Sequence, residues 1–345
     1  MLYRSNLLRD GHTLKRDTNM LKIGLIGCGG MGMHLSRQCQ TLDDAKITAV
    51  FDVNTEAAET AAQEFGAARF VSHAELLSSD VDGVIIATPN DSHAPLTIEA
   101  AANGKHIFCE KPMALSVADC DAMIAAAEKA GVKLMVGQVL RLIKGFWKIH
   151  EIVASGELGA PFAIFVTRLG TPKTLAQGWR ATNSQSGGVL YEVHVHELDF
   201  MRHIMGEAQS VFASTGHFTH SPVEFEDLAV VQLRYANNGI GALHCGVCSS
   251  VGRYDLMILC DKGTLTSGGF GGPIRYARFD EEPVEITLDS FEKEEPCREE
   301  VRSWVEAIIK GTPMVFDAHD GRAAIELCDA AYRSAESGAV VRLPL

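Results

Sequence analysis

Between residues 21 and 140, short apolar runs alternate with amphipathic or Ala-rich segments. Buried-type strands are predicted at LKIGLIGCG, KITAVFDVN, VDGVIIATPN, KHIFCEKP and VKLMVGQV. The intervening segments predict helices over residues 31–42, 55–65, 92–103 and 116–130. Strands that alternate with helices of this length predict an α/β fold with a doubly wound parallel sheet.

Beyond residue 140 the hydrophobic pattern changes. One helix is predicted over 145–154, and the apolar runs that follow are PFAIFVTRL, DLAVVQLRY, GIGALHCGV, YDLMILCD and GTLTSG. Turn residues such as Asn237-Asn238-Gly239 separate them, which predicts an antiparallel or mixed sheet. Further helices are predicted near 188–205, 298–310 and 317–337. We therefore expect three parts, namely an N-terminal extension over 1–20, a Rossmann-type domain over 21–140 and an α+β domain over 141–345.

Composition and charge narrow the function classes. Lys and Arg number 31 against 44 Asp and Glu, so the net charge of −13 disfavours nucleic acid and anionic membranes as partners. Residues 1–20 are polar and lack the apolar stretch of a secretory signal, and the nine cysteines are scattered through the chain. We therefore expect a cytoplasmic protein with reduced thiols. The Cys245–Cys248 pair follows a strand pattern and is not expected to hold a metal.

A glycine-rich turn follows the first predicted strand and opens the first helix. It reads Gly27-Cys28-Gly29-Gly30-Met31-Gly32, a G-x-G-x-x-G motif in the context that dinucleotide binding requires. Its glycines permit a tight turn and close approach of a pyrophosphate to the helix N-terminus. Asp52 ends the second strand and would accept hydrogen bonds from the ribose hydroxyls. Its charge repels a 2′-phosphate, which favours NAD over NADP.

Two further segments end strands at the same edge of the predicted sheet. Thr88-Pro89-Asn90 ends the third strand, and Glu110-Lys111-Pro112 ends the fourth. The carboxyl ends of strands in such sheets line the ligand crevice, so both segments are candidates for cofactor binding, together with His93. Lys111 could point at the nicotinamide and the substrate, or it could be a structural lysine paired only with Glu110.

With these motifs the chain resembles the Gfo/Idh/MocA family of NAD(P)-dependent oxidoreductases over about residues 22–345. The resemblance is carried by the motif glycines, by TPNDSHAPLTIEAAANGKHIFCEKP, by Ser186-Gly187-Gly188 ahead of a helix and by the C-terminal segments. It implies a Rossmann domain followed by an α+β domain that binds substrate and has an open sheet. It also implies a small carbohydrate substrate, since most members oxidise or reduce one hydroxyl of a sugar, polyol or inositol. The open sheet commonly builds dimers or tetramers, so we expect a homodimer or homotetramer.

The family pattern Asp-x-Gly-x-His-x-x-Asp corresponds to EVHVHELD over residues 192–199. The resemblance implies that His196 is the acid/base and that Lys111 stabilises the developing alkoxide. Glu192 stands where Asp is usual and could orient a substrate hydroxyl, while His194 stands where Gly is usual. On a helix, Glu192, His196, Asp199 and His203 share one face, so we expect Asp199 to fix the imidazole tautomer of His196. A metal is not expected, because the i, i+2 His pair does not share that face.

The substrate-side candidates rest on analogy and leave alternatives open. They are Lys111, Arg141, Arg168, Trp179, Arg180, Glu192, His194 and His196. An Arg among them could bind a carboxylate or sulfonate on a sugar. One alternative to a dehydrogenase is a glycoside-cleaving enzyme that keeps its NAD and acts by oxidation, elimination, hydration and reduction, with Glu192 and His194 as further acid/base groups. Another is a non-catalytic NAD-binding sensor, which the presence of both Lys111 and His196 disfavours.

Overall fold

A computed structural model describes residues 20–171, 175, 177–219 and 222–345. All but the last residue of the predicted extension over 1–20 therefore lies outside the described residues. Within the described ranges, no helix combines the length and apolar character needed to cross a membrane.

The N-terminal part is a six-stranded parallel sheet with helices on both faces, in the strand order β3-β2-β1-β4-β5-β6. Its strands are β1 (Leu21–Ile26), β2 (Ala45–Phe51), β3 (Ala68–Arg69), β4 (Gly83–Ile86), β5 (His106–Cys109) and β6 (Leu134–Val136). Its helices are α1 (Gly30–Cys39), α2 (Thr55–Phe65), α3 (His73–Leu77), α4 (His93–Ala102) and α5 (Val117–Ala130). The strand order reverses between β1 and β4, which opens a crevice at their carboxyl ends. The predicted doubly wound sheet is confirmed.

The second part is a nine-stranded mixed sheet in the order β14-β13-β12-β11-β7-β10-β9-β8-β15, in which only the β7–β10 pair is parallel among the strands described. Its strands are β7 (Pro161–Leu169), β8 (Ala208–Gly216), β9 (Leu228–Tyr235), β10 (Ile240–Gly246), β11 (Arg253–Cys260), β12 (Gly263–Ser267), β13 (Ile274–Arg278), β14 (Val284–Ile286) and β15 (Val341–Arg342). The predicted antiparallel or mixed sheet is confirmed, and it is mostly antiparallel.

Helices cover one face of this sheet. Among them are α8 (Val195–Met205), which contacts β7 and β10, and α10 (Ala318–Ser337), which contacts β8 and β15. The remaining helices after the parallel sheet are α6 (Lys144–Ala154), α7 (Asn183–Ser186) and α9 (Pro296–Lys310). The opposite face exposes the large apolar side chains of Phe162, Phe212, Ile240 and Met257. Alternation of covered and open positions along each strand follows from a sheet that packs helices on one side only.

The C-terminal helices join the two sheets. Helix α9 packs on the parallel sheet, where Trp304 is fully buried and meets the Phe108 ring edge-on at 6.1 Å. Gly83 makes room for it, since a Cβ there would lie 3.0 Å from the indole. Helix α10 packs against α5, α8 and β8. The end of the chain thus fixes α8 against the crevice of the parallel sheet.

Candidate active site

A cleft of about 790 Å³ lies at the carboxyl ends of β1, β4 and β5. Its walls come from the glycine-rich turn, from the ends of β2, β4 and β5, and from the segment that precedes α8. The predicted site residues that line it are Gly27, Gly29, Gly30, Met31, Asp52, Thr88, Pro89, Asn90, Glu110, Lys111, Trp179, Arg180 and Glu192.

The glycines of the turn are of two kinds, those with no room for a Cβ and those that border open space in the cleft. Gly27 has φ +98°, and a Cβ there would lie 2.4 Å from the Ala87 carbonyl oxygen. A Cβ at Gly32 would lie 2.0 Å from the Gly27 carbonyl oxygen, so both positions exclude side chains. Gly29 and Gly30 have open space around their Cβ positions, and Gly29 precedes α1 with no side-chain cap. The amides at this helix end are therefore accessible to a pyrophosphate.

Asp52 is fixed at the end of β2 by two backbone amides. Its Oδ2 accepts from the Cys28 N–H at 2.7 Å, and its Oδ1 accepts from the Asn54 N–H at 2.7 Å. Asn54 itself caps α2, and the intervening Val53 is exposed, so the two residues after Asp52 supply no cation for a 2′-phosphate. The residues fit a dinucleotide whose adenosine ribose carries free hydroxyls.

Lys111 and Glu192 meet where the two parts of the chain face each other. The Lys111 Nζ donates to the Glu192 carbonyl oxygen at 2.8 Å and lies 4.0 Å from its Oε2. That carboxylate also accepts from the Asn90 Nδ2 at 2.9 Å and lies 3.0 Å from the Arg180 Nε. The Glu110 Oε2 accepts from the Lys111 backbone N–H at 3.1 Å, whereas the lysine ammonium contacts Glu192. A cation and a carboxylate thus share this end of the cleft.

The segment before α8 differs from the predicted continuous helix over 188–205. Gly187 and Gly188 turn with φ of +81° and +99°, and a Cβ at Gly188 would lie 2.4 Å from the Tyr332 hydroxyl. A π-helical turn (Leu190–His194) then leads into α8. Such wide turns often occur at functional sites. Here Glu192 is directed at the cleft, whereas His194 bonds to Glu197 in the protein interior.

His196 lies in the first turn of α8, four residues after Glu192, and is not itself among the residues that line the cleft. Burial, followed by the Lys111 cation, lowers the pKa of His196 to about 3. Its Nδ1 is buried, with no hydrogen-bond partner among the described residues. The imidazole is therefore neutral near pH 7 and can accept a proton.

Behind His196 lies a buried polar cluster that sequence reasoning only partly anticipated. The Arg168 Nη1 donates to the Glu197 Oε1 at 2.8 Å, and the Tyr254 hydroxyl contacts the same oxygen at 3.2 Å. The His194 Nδ1 lies 3.1 Å from the Glu197 Oε2. Glu197 and Tyr254 were missed, and the signal for Glu197 was a carboxylate within an apolar helix face. Arg168 and His194 belong to this cluster and do not line the cleft.

Three predicted positions need correction. Arg141 does not line the cleft, because its Nε donates to Asp199 at 2.7 Å and its Nη2 to Asp320 at 3.0 Å. Asp199 is fully buried in that ion pair, so it does not fix the His196 tautomer. His203, on the same helix face, stacks on the ring of His150.

His93 is also displaced from its predicted role in cofactor contact. It is almost fully buried, and its ring nitrogens lie 2.8 Å from the Pro112 carbonyl oxygen and 3.0 Å from that of Thr88. The imidazole therefore ties together the two loops that carry Thr88 and Lys111.

The fold and this cleft define an oxidoreductase with a dinucleotide-binding domain. A family model described as oxidoreductase family, NAD-binding Rossmann fold, matches residues 21–138. The GFO/IDH/MocA C-terminal domain matches residues 146–266. The chain therefore belongs to the GFO/IDH/MocA family, and it is an NAD-dependent oxidoreductase.

Relatives and solved structures span several reactions. The 2,7-anhydro-N-acetylneuraminate hydratase of Escherichia coli is 34% identical over 252 residues, which cover 71% of this chain and 67% of that protein. The myo-inositol 2-dehydrogenase of Thermotoga maritima is 28% identical over 343 residues, covering 94% and 98%. The WlbA dehydrogenase of Bordetella pertussis, solved with NADH and UDP-GlcNAcA, superposes with a TM-score of 0.83 at 26% identity, covering 94% and 99%.

Proposed function

We propose that this chain is an NAD-dependent dehydrogenase that acts on one hydroxyl of a sugar, polyol, inositol or sugar derivative. The observation that carries the proposal is the contact of Lys111 with Glu192 in a cleft that fits a dinucleotide, with His196 four residues after Glu192 on the same helical run. Relatives named for inositol and apiose dehydrogenation support the carbohydrate class.

His196, Lys111 and Glu192 have separate roles in the proposed oxidation of the substrate hydroxyl. When bound, NAD supplies the hydride acceptor. His196, neutral near pH 7, takes the proton of the substrate hydroxyl. The Lys111 ammonium stabilises the negative charge that develops on that oxygen. Glu192, held by Asn90, orients the hydroxyl between them.

Trp179 and Arg180 are the candidate contacts for the rest of the substrate. Both line the cleft, and the Arg180 guanidinium lies 5.1 Å from the centre of the Trp179 ring. An aromatic face suits the apolar side of a sugar ring, and a guanidinium suits a carboxylate substituent. The Arg180 side chain is 41% exposed, so a substrate can reach it.

A second candidate function is redox-neutral cleavage or hydration with NAD retained. It is favoured by the 34% identity to a 2,7-anhydro-N-acetylneuraminate hydratase. Such chemistry needs a second acid/base group near the oxidised carbon. Glu192 lines the cleft and His194 does not, so Glu192 would supply it.

The test follows absorbance at 340 nm with purified protein, NAD and a panel of sugars, inositols, uronates and anhydro-sugars, with chromatography of the same samples. A steady rise with one substrate supports the dehydrogenase. A flat trace with a changed substrate favours the redox-neutral reaction. A flat trace with every substrate unchanged would contradict both.

A further inference from the structure

Glu197 is a fully buried carboxylate next to His196 in the first turn of α8. It has three partners, the Arg168 Nη1 at 2.8 Å, the Tyr254 hydroxyl at 3.2 Å and the His194 Nδ1 at 3.1 Å. A carboxylate held by a guanidinium and two further groups stays ionised and cannot rotate. The protein therefore keeps a fixed negative charge beside the candidate acid/base.

The other groups that face His196 oppose its protonation. Lys111 approaches from the loop after β5 and Arg168 from β7, and each carries a positive charge. Burial acts in the same direction. The Glu197 charge favours the imidazolium, whereas the Glu192 carboxylate, four residues before His196, faces the Lys111 and Arg180 cations. Asp199 is neutralised by Arg141.

We propose that Glu197 is a positioning residue that stabilises the protonated form of His196 during proton transfer, and that Arg168 and Tyr254 hold it in place. The inference rests on the proposed function, in which His196 exchanges a proton with the substrate hydroxyl. As the substrate O–H bond breaks, a new N–H bond forms on His196 and the ring gains one positive charge. Glu197 supplies the matching negative charge without having to move.

His194 completes the arrangement. An ionised carboxylate only accepts hydrogen bonds, so the contact with Glu197 places the His194 proton on Nδ1. The pKa of His194 is lowered, mainly because the ring is buried. The ring is therefore neutral and adds no second positive charge beside His196.

Two variants that change the charge near His196 in opposite directions test the inference, because they should shift its pKa in opposite directions. Glu197→Gln removes the negative charge, and Arg168→Met removes a positive one. The readout is kcat for reduction of a keto-inositol or a 3-keto-glucoside with NADH, in which His196 must donate a proton. We expect Glu197→Gln to lower kcat at about pH 6 by about tenfold, equivalent to one pKa unit on His196, with KM little changed. In Arg168→Met, the pH above which kcat for the reduction declines should rise by about one unit, because the Tyr254 hydroxyl and the His194 Nδ1 still hold the Glu197 carboxylate.

Further variants distinguish an effect of the lost charge from an effect of disturbed folding. Glu197→Asp should restore most of the activity, and the double variant Glu197→Gln with Arg168→Met should return towards wild type, since both charges leave together. Glu207→Gln, at an exposed carboxylate just after α8, is the matched control and should leave the pH profile unchanged. Shifts of the same sign in the two single variants, or no shift in either, would overturn the inference.

A readout without turnover separates this inference from the proposed function. Ring NMR of labelled histidines in the full chain follows His196 directly, with the signal assigned from His196→Gln. An upward shift of about one pKa unit in Arg168→Met supports the inference even if no carbohydrate is turned over. An unchanged His196 pKa in the Glu197→Gln and Arg168→Met variants would contradict the inference. Turnover of a carbohydrate by the wild type would then still support the proposed dehydrogenase.

Discussion

Asp52 gives a prediction about cofactor choice whose size follows from the structure. Its carboxylate is held at the cleft by the amides of Cys28 and Asn54, with an oxygen-to-nitrogen distance of 2.7 Å in each case. Asp52→Ser removes the charge and keeps a small polar side chain. We expect NAD to bind more weakly and NADP to bind more tightly, because one change removes both the ribose acceptor and the repulsion of a 2′-phosphate.

The two effects have comparable magnitudes. A hydrogen bond to a charged group contributes about 1.5–3 kcal/mol, so the Kd for NAD should rise by about 10- to 100-fold. At an effective dielectric constant of about 20, a phosphate charge about 5 Å from a carboxylate is repelled by about 3 kcal/mol. Removal of that repulsion strengthens NADP binding on the order of 100-fold. The preference for NAD over NADP should fall by about a thousandfold or more.

Isothermal titration calorimetry with each dinucleotide measures both constants. Asp43→Ser, at an exposed carboxylate in the turn before β2, is the control and should leave both unchanged. An unchanged ratio of the two constants in Asp52→Ser would refute the reasoning, because it would mean that Asp52 does not contact the adenosine ribose.

Three further changes test other parts of the account. Asp199→Ala should lower the free energy of unfolding by about 3–5 kcal/mol, measured by urea titration, because it leaves the buried Arg141 cation without its nearest counter-ion. A decrease below about 1 kcal/mol would contradict a buried ion pair. Burial raises the pKa of Glu110 from 4.5 to about 7, so this group stabilises the fold below pH 4.5 and loses that contribution as the pH rises through 7. Glu110→Gln should therefore be more stable than wild type near pH 8 but not near pH 4, and equal differences at both pH values would exclude the shift. We expect the open face of the nine-stranded sheet to form the contact in a homodimer or homotetramer. Ile240→Lys, at a side chain 41% exposed on that face, should therefore shift the mass measured by light scattering towards that of the monomer. An unchanged mass would mean that the contact lies elsewhere.

Much of the fold could be predicted because its strands are buried on both faces or alternate clearly. Strand β1 reads as a continuous apolar run because helices cover both sides of the parallel sheet. The pattern does not indicate strand β8 (AQSVFASTG), since its apolar positions are few and small or polar residues separate them. Strands β3 and β15 have two residues each, too few for any periodicity.

The cofactor part of the site could be predicted better than the substrate part. The glycine turn and Asp52 are local to one strand–helix–strand unit, so their spacing alone places them together. Helical spacing predicts that Asp199 contacts His196, but its partner in the structure is Arg141, which lies 58 residues away in sequence. Tyr254 reaches Glu197 on α8 from strand β11, a contact that no local pattern encodes. The π-helical turn also shifts the register that a regular helix predicts.

The most direct test of the central claim compares two lysine variants in one assay of kcat and NAD affinity. Lys111→Met removes the ammonium that contacts Glu192, and Lys129→Met, at an exposed lysine on α5, is the matched control. The account predicts that Lys111→Met lowers kcat for the best carbohydrate by about 10²–10³-fold while the Kd for NAD changes little. Lys129→Met should match the wild type. Wild-type turnover in Lys111→Met would contradict the account.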